Sequence, residues 1–158
     1  MPSARPNLAR AWWPAIVWIG LITFESTDYL SSQNTGSMLY DLLTRIFGFI
    51  NPYEFDYWHH YLRKTGHVVG YAMLGLLLLR GLWMTFANRP ERMRLLPVFA
   101  WLGTAFVATM DEWHQSYIPS RTGTPWDILL DSTAGLAALA LAYLALRKRA
   151  PAPVNKET

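Results

Sequence analysis

The sequence predicts an all-α fold, a bundle of four transmembrane helices with an extracytoplasmic amphipathic helix lying in the interface. Three observations predict it. Hydrophobic residues make up 52% of the 158 and charged residues only 16%, where soluble domains carry about 25% charged. Four apolar runs, residues 8–24, 65–86, 95–110 and 126–146, approach the ~20 residues that cross a hydrocarbon core of about 30 Å. Lysine and arginine, finally, collect on alternate connections between those runs. The length suits one membrane domain, residues 1–150, followed by a tail, residues 151–158, that reads as disordered.

Taken in order, the first run, Leu8–Phe24, has Arg5 before it and Arg10 in its first turn, ahead of its apolar stretch. A signal peptide has the same opening, but no small-residue cleavage site follows Phe24 and three further runs do. The connection after it is long. Within it, "SMLYDLLTRIFGFI" sets Met38, Leu39, Leu42, Leu43, Ile46, Phe47 and Ile50 at helical spacing, with Asp41, Thr44 and Arg45 opposite. That pattern fits a helix in the outer interface or a lid over the span ends. "NPYEFDYWHHY" then reads as a Pro turn and an aromatic cluster at headgroup depth, with His59 and His60 as interfacial polar residues. The second and fourth spans, Thr65–Phe86 and Trp126–Leu146, are full length; the first and the third, Leu8–Phe24 and Leu95–Met110, are short and need flanking Trp or polar residues to complete the span. Gly66, Gly70 and Gly75 on the second span and Gly135, Ala138 and Ala142 on the fourth are small residues that admit a neighbouring helix.

Ten of the fourteen basic residues lie before the first span, at or between the second and third, or after the fourth. Arg45, Arg63, Lys64 and Arg121 lie on the other side, so both termini are predicted in the cytoplasm of a bacterial inner-membrane protein. The positive charge of +3 is thereby topological, and with no clustered basic face or known module no nucleic acid is expected as a partner. There is no cysteine, hence no disulfide framework and no thiolate metal site.

The ionisable residues concentrate at one level. Lys64, His67 and Tyr71 form a stripe entering the second span; Asp111, His114 and Gln115 fall at i, i+3 and i+4 leaving the third; Asp127 and Asp131 fall at i and i+4 entering the fourth. Glu25 and Asp28 end the first. All four helices thus carry polar groups at the outer level. Such groups cost about 2.5 to 3.5 kcal/mol at a membrane helix centre, so they face the bundle interior and mark a site.

The stretches "KTGHVVGYAMLG" (64–75), "DEWHQSYIPSRTGTPWDILLDSTAG" (111–135) and "LSSQNTGS" (30–37) resemble the VanZ-like family, over most of residues 12–146. One departure is Gly70, where many family sequences carry Glu before the Tyr; if that Glu partners the histidine in the family, His67 must find another acceptor here. The resemblance implies an integral membrane protein of the cell envelope, linked to glycopeptide susceptibility through teicoplanin resistance, without a settled mechanism.

Three functions fit the residues. One is non-catalytic binding of a membrane lipid, a lipid-linked cell-wall precursor or a lipoglycopeptide. Lys64 and Arg121 would hold its phosphate, with Asp127, Asp131, Gln115 and Tyr71 lining the pocket. The second is a membrane hydrolase or transferase acting on a lipid phosphate. His67 or His114 would then be nucleophile or general base, oriented by Glu112 or Asp111; the set is similar in kind to that of lipid phosphatases, without their Ser-Gly-His stretch. The third is a scaffold in which Lys64 or Arg121 neutralises Asp111 or Asp127 and Asp127 caps the fourth span. A divalent metal is a variant of the first two. His67, His114, Glu112, Asp111, Asp127 and Asp131 offer ligands, though no fixed metal spacing is present and Zn, Mg and Mn are not distinguished.

Overall fold

A computed structural model describes residues 7–149. The tail at 151–158 lies outside the described residues, as do Arg5 and Lys156. Five α-helices follow one another, α1 (Leu8–Glu25), α2 (Ser32–Phe47), α3 (Pro52–Thr85), α4 (Leu96–Gln115) and α5 (Pro125–Arg149), with short 3-10 turns at Asp28–Leu30 and Pro90–Leu95. There is no strand among the described residues. Three segments, Pro52–Thr85, Glu91–Gln115 and Pro125–Leu146, are long and apolar enough to cross a bilayer. α1, with 18 residues that include Arg10, Pro14 and Glu25, is not among them.

Local chemistry sets the ends. Asn7 caps α1 by accepting the Arg10 amide at 3.0 Å, Ser31 caps α2 and Asn51 caps α3. α2 stops at Gly48, whose φ of 83° is a left-handed conformation that glycine adopts freely. Thr124, rather than Asp127, caps α5: its hydroxyl accepts the Asp127 amide at 3.2 Å, and Pro125 follows at the first helical position.

The largest difference from the sequence reading lies before Lys64. The expected loop with a Pro turn at residues 51–61 is instead the start of α3, which runs unbroken for 34 residues, about 51 Å at the α-helical rise. Pro52 sits at the first turn, where its missing N–H costs nothing, and no breaker follows it. Hydropathy reports where a helix enters lipid, and this one starts well before. α4 likewise continues past Met110 to Gln115, and α2 begins five residues before the expected Ser37.

α3 is the central element, packed on α1, α4 and α5, with α4 also on α5. The core holds Ala15, Ile22, Tyr71, Leu74, Leu78, Ala100, Ala108 and Leu139. Between membrane helices the hydrophobic drive is weak, so close backbone approach and polar ties hold the bundle. α3 and α5 meet at two of the small residues singled out in the sequence: a Cβ on Gly75 would lie 3.3 Å from the Gly135 carbonyl oxygen, and one on Gly135 only 2.7 Å from Thr104 Cγ2. Three indoles tie neighbouring helices, Trp12 to Thr85 Oγ1 at 3.0 Å, Trp18 to the Gly70 carbonyl at 2.9 Å and Trp101 to the Ser132 carbonyl at 3.2 Å. The outward faces carry exposed Ile16, Val17, Leu21, Phe99, Phe106, Leu129, Leu136 and Leu141, a surface suited to lipid.

α2 rests on the overhanging start of α3. Tyr40 meets the Phe55 ring edge-on at 5.2 Å and donates to the Ile50 carbonyl, while Gly36 abuts His59. Met38, Leu42, Ile46 and Phe47 remain exposed.

Candidate functional site

One end of the bundle gathers the end of α1, the middle of α3, the end of α4 and the start of α5. Asp111 is the knot of this end. Its carboxylate accepts from Ser26 Oγ at the end of α1, from Tyr71 Oη on α3 at 2.9 Å and from Gln115 Nε2 one turn on at 3.2 Å. Gln115 also donates to Ser26 Oγ. All four side chains are buried, and Asp111 is thereby committed to joining three helices.

Beside the knot lies a cavity of about 100 Å³ lined by His60, Arg63, Lys64, His67, Glu112, Gln115, Ser120, Arg121, Thr122 and Asp127, room for several waters. Lys64 is ion-paired with Asp127. Arg121, only 7% exposed, donates through one terminal nitrogen to the Glu25 and Thr27 carbonyls, while its buried Nε–H has no partner among the described residues. Burial, and next the charge of Arg63, hold the Arg121 guanidinium below its ordinary range, opposed by Glu25, Asp111 and Asp28. Arg63 makes no ion pair among the described residues.

The loop from α4 to α5 folds back as the cavity wall. The Thr124 amide donates to Glu112 Oε2 at 2.9 Å. Gly123 permits this approach, because a Cβ there would lie 2.2 Å from the Glu112 carbonyl oxygen. Ser120 reaches Asp28 from the same loop.

Behind the cavity, His67 Nδ1 lies 3.3 Å from Asp131 Oδ2. The acceptor facing His67 is thus supplied from α5. Asp131 is fully buried, and its Oδ1 has no partner among the described residues. His67, Glu112 and Asp131 each bring one ligand atom within 4.8 Å of the other two.

Of the sequence candidates, the structure brings Lys64, His67, Tyr71, Asp111, Glu112, Gln115, Arg121, Asp127 and Asp131 to this end. It turns His114 away from the cavity: that side chain is exposed and lines an apolar groove with Ile19, Ile22, Thr23, Phe106, Val107 and Met110, which Asp111 also borders. Of the six ligands considered for a metal, Asp111, Asp127 and His114 stand outside the cluster. Arg63 and His60 line the cavity and were not singled out as ligand-binding. Their spacing to Lys64 and His67 reveals them once α3 is seen to be helical before Lys64.

An all-helical bundle with apolar outer faces and one polar end defines a multi-pass membrane protein. The family model described as VanZ/LLP1 matches residues 11–146, and the chain belongs to that family. Neither the curated proteins nor the solved structures yield a match.

Proposed function

We propose that the protein crosses the bacterial cytoplasmic membrane four times with both termini inside, and that its outer-leaflet cavity binds the anionic headgroup of a membrane lipid, lipid-linked cell-wall precursor or lipoglycopeptide, modulating glycopeptide susceptibility. In this reading α1 is the fourth span, completed at its ends by Trp and polar side chains, and α2 lies in the outer interface with Met38, Leu42, Ile46 and Phe47 in the acyl boundary. The orientation rests on the basic residues, since Arg10, Arg80, Arg89, Arg92 and Arg94 stand at the end opposite the cavity.

The observation that carries the binding reading is the pair of guanidiniums at one cavity. Arg63 has no ion-pair partner and Arg121 keeps a buried Nε–H without an acceptor, both among the described residues. A buried donor left unpaired costs about 1–3 kcal/mol, which an oxyanion would recover. Arginine also suits phosphate by its forked donors. The sequence assigned the phosphate to Lys64 and Arg121; with Lys64 engaged by Asp127, the role moves to Arg63 and Arg121.

Native mass spectrometry of the detergent-purified protein tests this. The wild type is expected to retain a phosphate-bearing lipid that Arg63→Ala loses while remaining monodisperse. Bare wild-type protein, or equal retention in both, overturns the reading in favour of a scaffold.

A further inference from the structure

We infer that His67, Glu112 and Asp131 form a binding site for one divalent transition-metal ion, of the Zn²⁺ class. The three side chains come from α3, α4 and α5, and one ligand atom of each lies within 4.8 Å of the others. A nitrogen and an oxygen each ~2.1 Å from a tetrahedral ion stand about 3.4 Å apart. His67 Nδ1 and Asp131 Oδ2 are 3.3 Å apart, longer than the ~2.9 Å typical of a charge-assisted hydrogen bond and close to that tetrahedral edge.

The second observation is an unsatisfied group. Asp131 is 0% exposed, yet its Oδ1 has no hydrogen-bond partner among the described residues. A buried carboxylate oxygen without a donor is costly, and a coordinated cation removes that cost. Charge argues the same way. Asp111, Glu112 and Asp131 bring three carboxylates to the interior, and among the described residues no Lys or Arg pairs with Glu112 or Asp131: Lys64 is engaged by Asp127, Arg121 is turned towards backbone carbonyls, and Arg63 lines the cavity without an ion pair. The Asp111 carboxylate already accepts three donors; Glu112 and Asp131 are the ones a metal would serve.

The donor set selects the ion. One imidazole with two carboxylates suits Zn²⁺ or Mn²⁺, while Ca²⁺ and Mg²⁺ prefer oxygen alone. His67 and Glu112 also line the cavity, so the open coordination position faces it. The Thr124 amide on Glu112 Oε2 orients that carboxylate as a supporting contact. The site stands whether or not the cavity takes a phosphate.

The test is metal analysis by plasma mass spectrometry on full-length protein purified in detergent through a non-histidine tag, followed by chelator dialysis and thermal unfolding with Zn²⁺, Mn²⁺ or Mg²⁺ added back. The expected result is about one equivalent of transition metal per chain, a lower Tm after chelation, and recovery with Zn²⁺ or Mn²⁺ but not Mg²⁺. Glu112→Gln keeps an oxygen for the Thr124 amide and Asp131→Asn keeps the side-chain shape; each is expected to lower occupancy at least about tenfold while remaining monodisperse. His114→Ala is expected to retain the metal. Wild-type protein that holds no metal and shows no Tm response to chelator or added ion overturns the inference. So does metal retained equally in Glu112→Gln and Asp131→Asn, which would place the ion elsewhere.

Discussion

His67 on α3 and Asp131 on α5 face each other across the bundle, Nδ1 to Oδ2 at 3.3 Å, and Asp131 has no solvent exposure at all. Truncating the ring removes the only described hydrogen-bond partner of that carboxylate. His67→Ala is expected to destabilise the protein by about 3 kcal/mol or more, because the remaining charge is left uncompensated in the interior. Adding Asp131→Asn is expected to recover part of the loss, since an amide is cheaper to bury than a carboxylate. Thermal unfolding of the two single variants and the double variant in detergent measures the coupling. Additive losses would show that the two side chains do not act as a pair.

The loop that closes the cavity depends on a residue without a side chain. Gly123→Ala places a Cβ 2.2 Å from the Glu112 carbonyl oxygen, far inside van der Waals contact. The loop must move, and the Thr124 to Glu112 hydrogen bond goes with it. A loss of about 1–3 kcal/mol is expected, as for other overpacked sites. Limited trypsin digestion supplies the local readout. Arg121 is buried in the native protein, so cleavage after it is expected to be slow in the wild type and faster in Gly123→Ala.

Most of this site was legible from periodicity. Lys64, His67 and Tyr71 share one stripe because α3 is helical through them, and Asp127 and Asp131 share another on α5. Within α4 the spacing alone misled. At about 100° per residue, Glu112, Gln115 and Ala108 lie on one side of Asp111 and turn inward, while His114 lies about 60° to the other side. Which side faces the bundle depends on the neighbouring helices, so the sequence pattern could not exclude His114. Arg63 was missed for another reason. The apolar run begins only after Lys64, and a polar helical overhang is invisible to hydropathy. Gly123 gave no signal because its close approach is to a carbonyl eleven positions back in the chain, a tertiary contact.

The contact between α3, α4 and α5 at Gly135 predicts a steric cost and its remedy. Gly135→Ala directs a methyl to 2.7 Å from Thr104 Cγ2, and a loss of about 1–3 kcal/mol is expected. Thr104→Ser removes that methyl and keeps the hydroxyl that bonds the Ala100 carbonyl at 2.9 Å. The double variant is therefore expected to unfold at a higher temperature than Gly135→Ala alone. Gly70 supplies the contrast, since a Cβ there meets nothing within 4 Å. Gly70→Ala is expected to stabilise by about 0.5–1 kcal/mol through the helix preference alone. A Tm drop at Gly70 as large as at Gly135 would mean that both glycines serve packing.

The orientation is open to a direct test because the chain has no cysteine, so each introduced thiol reports alone. Asn88 and Thr122 are both exposed, the first in the connection between α3 and α4 and the second in the loop between α4 and α5. α4 separates them, a segment long and apolar enough to cross the bilayer, so the two positions are expected on opposite sides. A membrane-impermeant maleimide applied to intact spheroplasts is expected to label Thr122→Cys, and to label Asn88→Cys only after permeabilisation. The reverse pattern would invert the orientation that the arginine distribution supports and place the cavity in the inner leaflet. Labelling of both positions in intact spheroplasts would mean that α4 does not span. A third thiol at Asn7, exposed at the start of α1, then decides the fourth span. Protection matching Asn88→Cys means that α1 crosses, because Trp12 bonds Thr85 and Arg80 bonds the Ala11 carbonyl at the same end of the bundle. Labelling alongside Thr122→Cys would leave three spans and an α1 that lies against the bundle without traversing it.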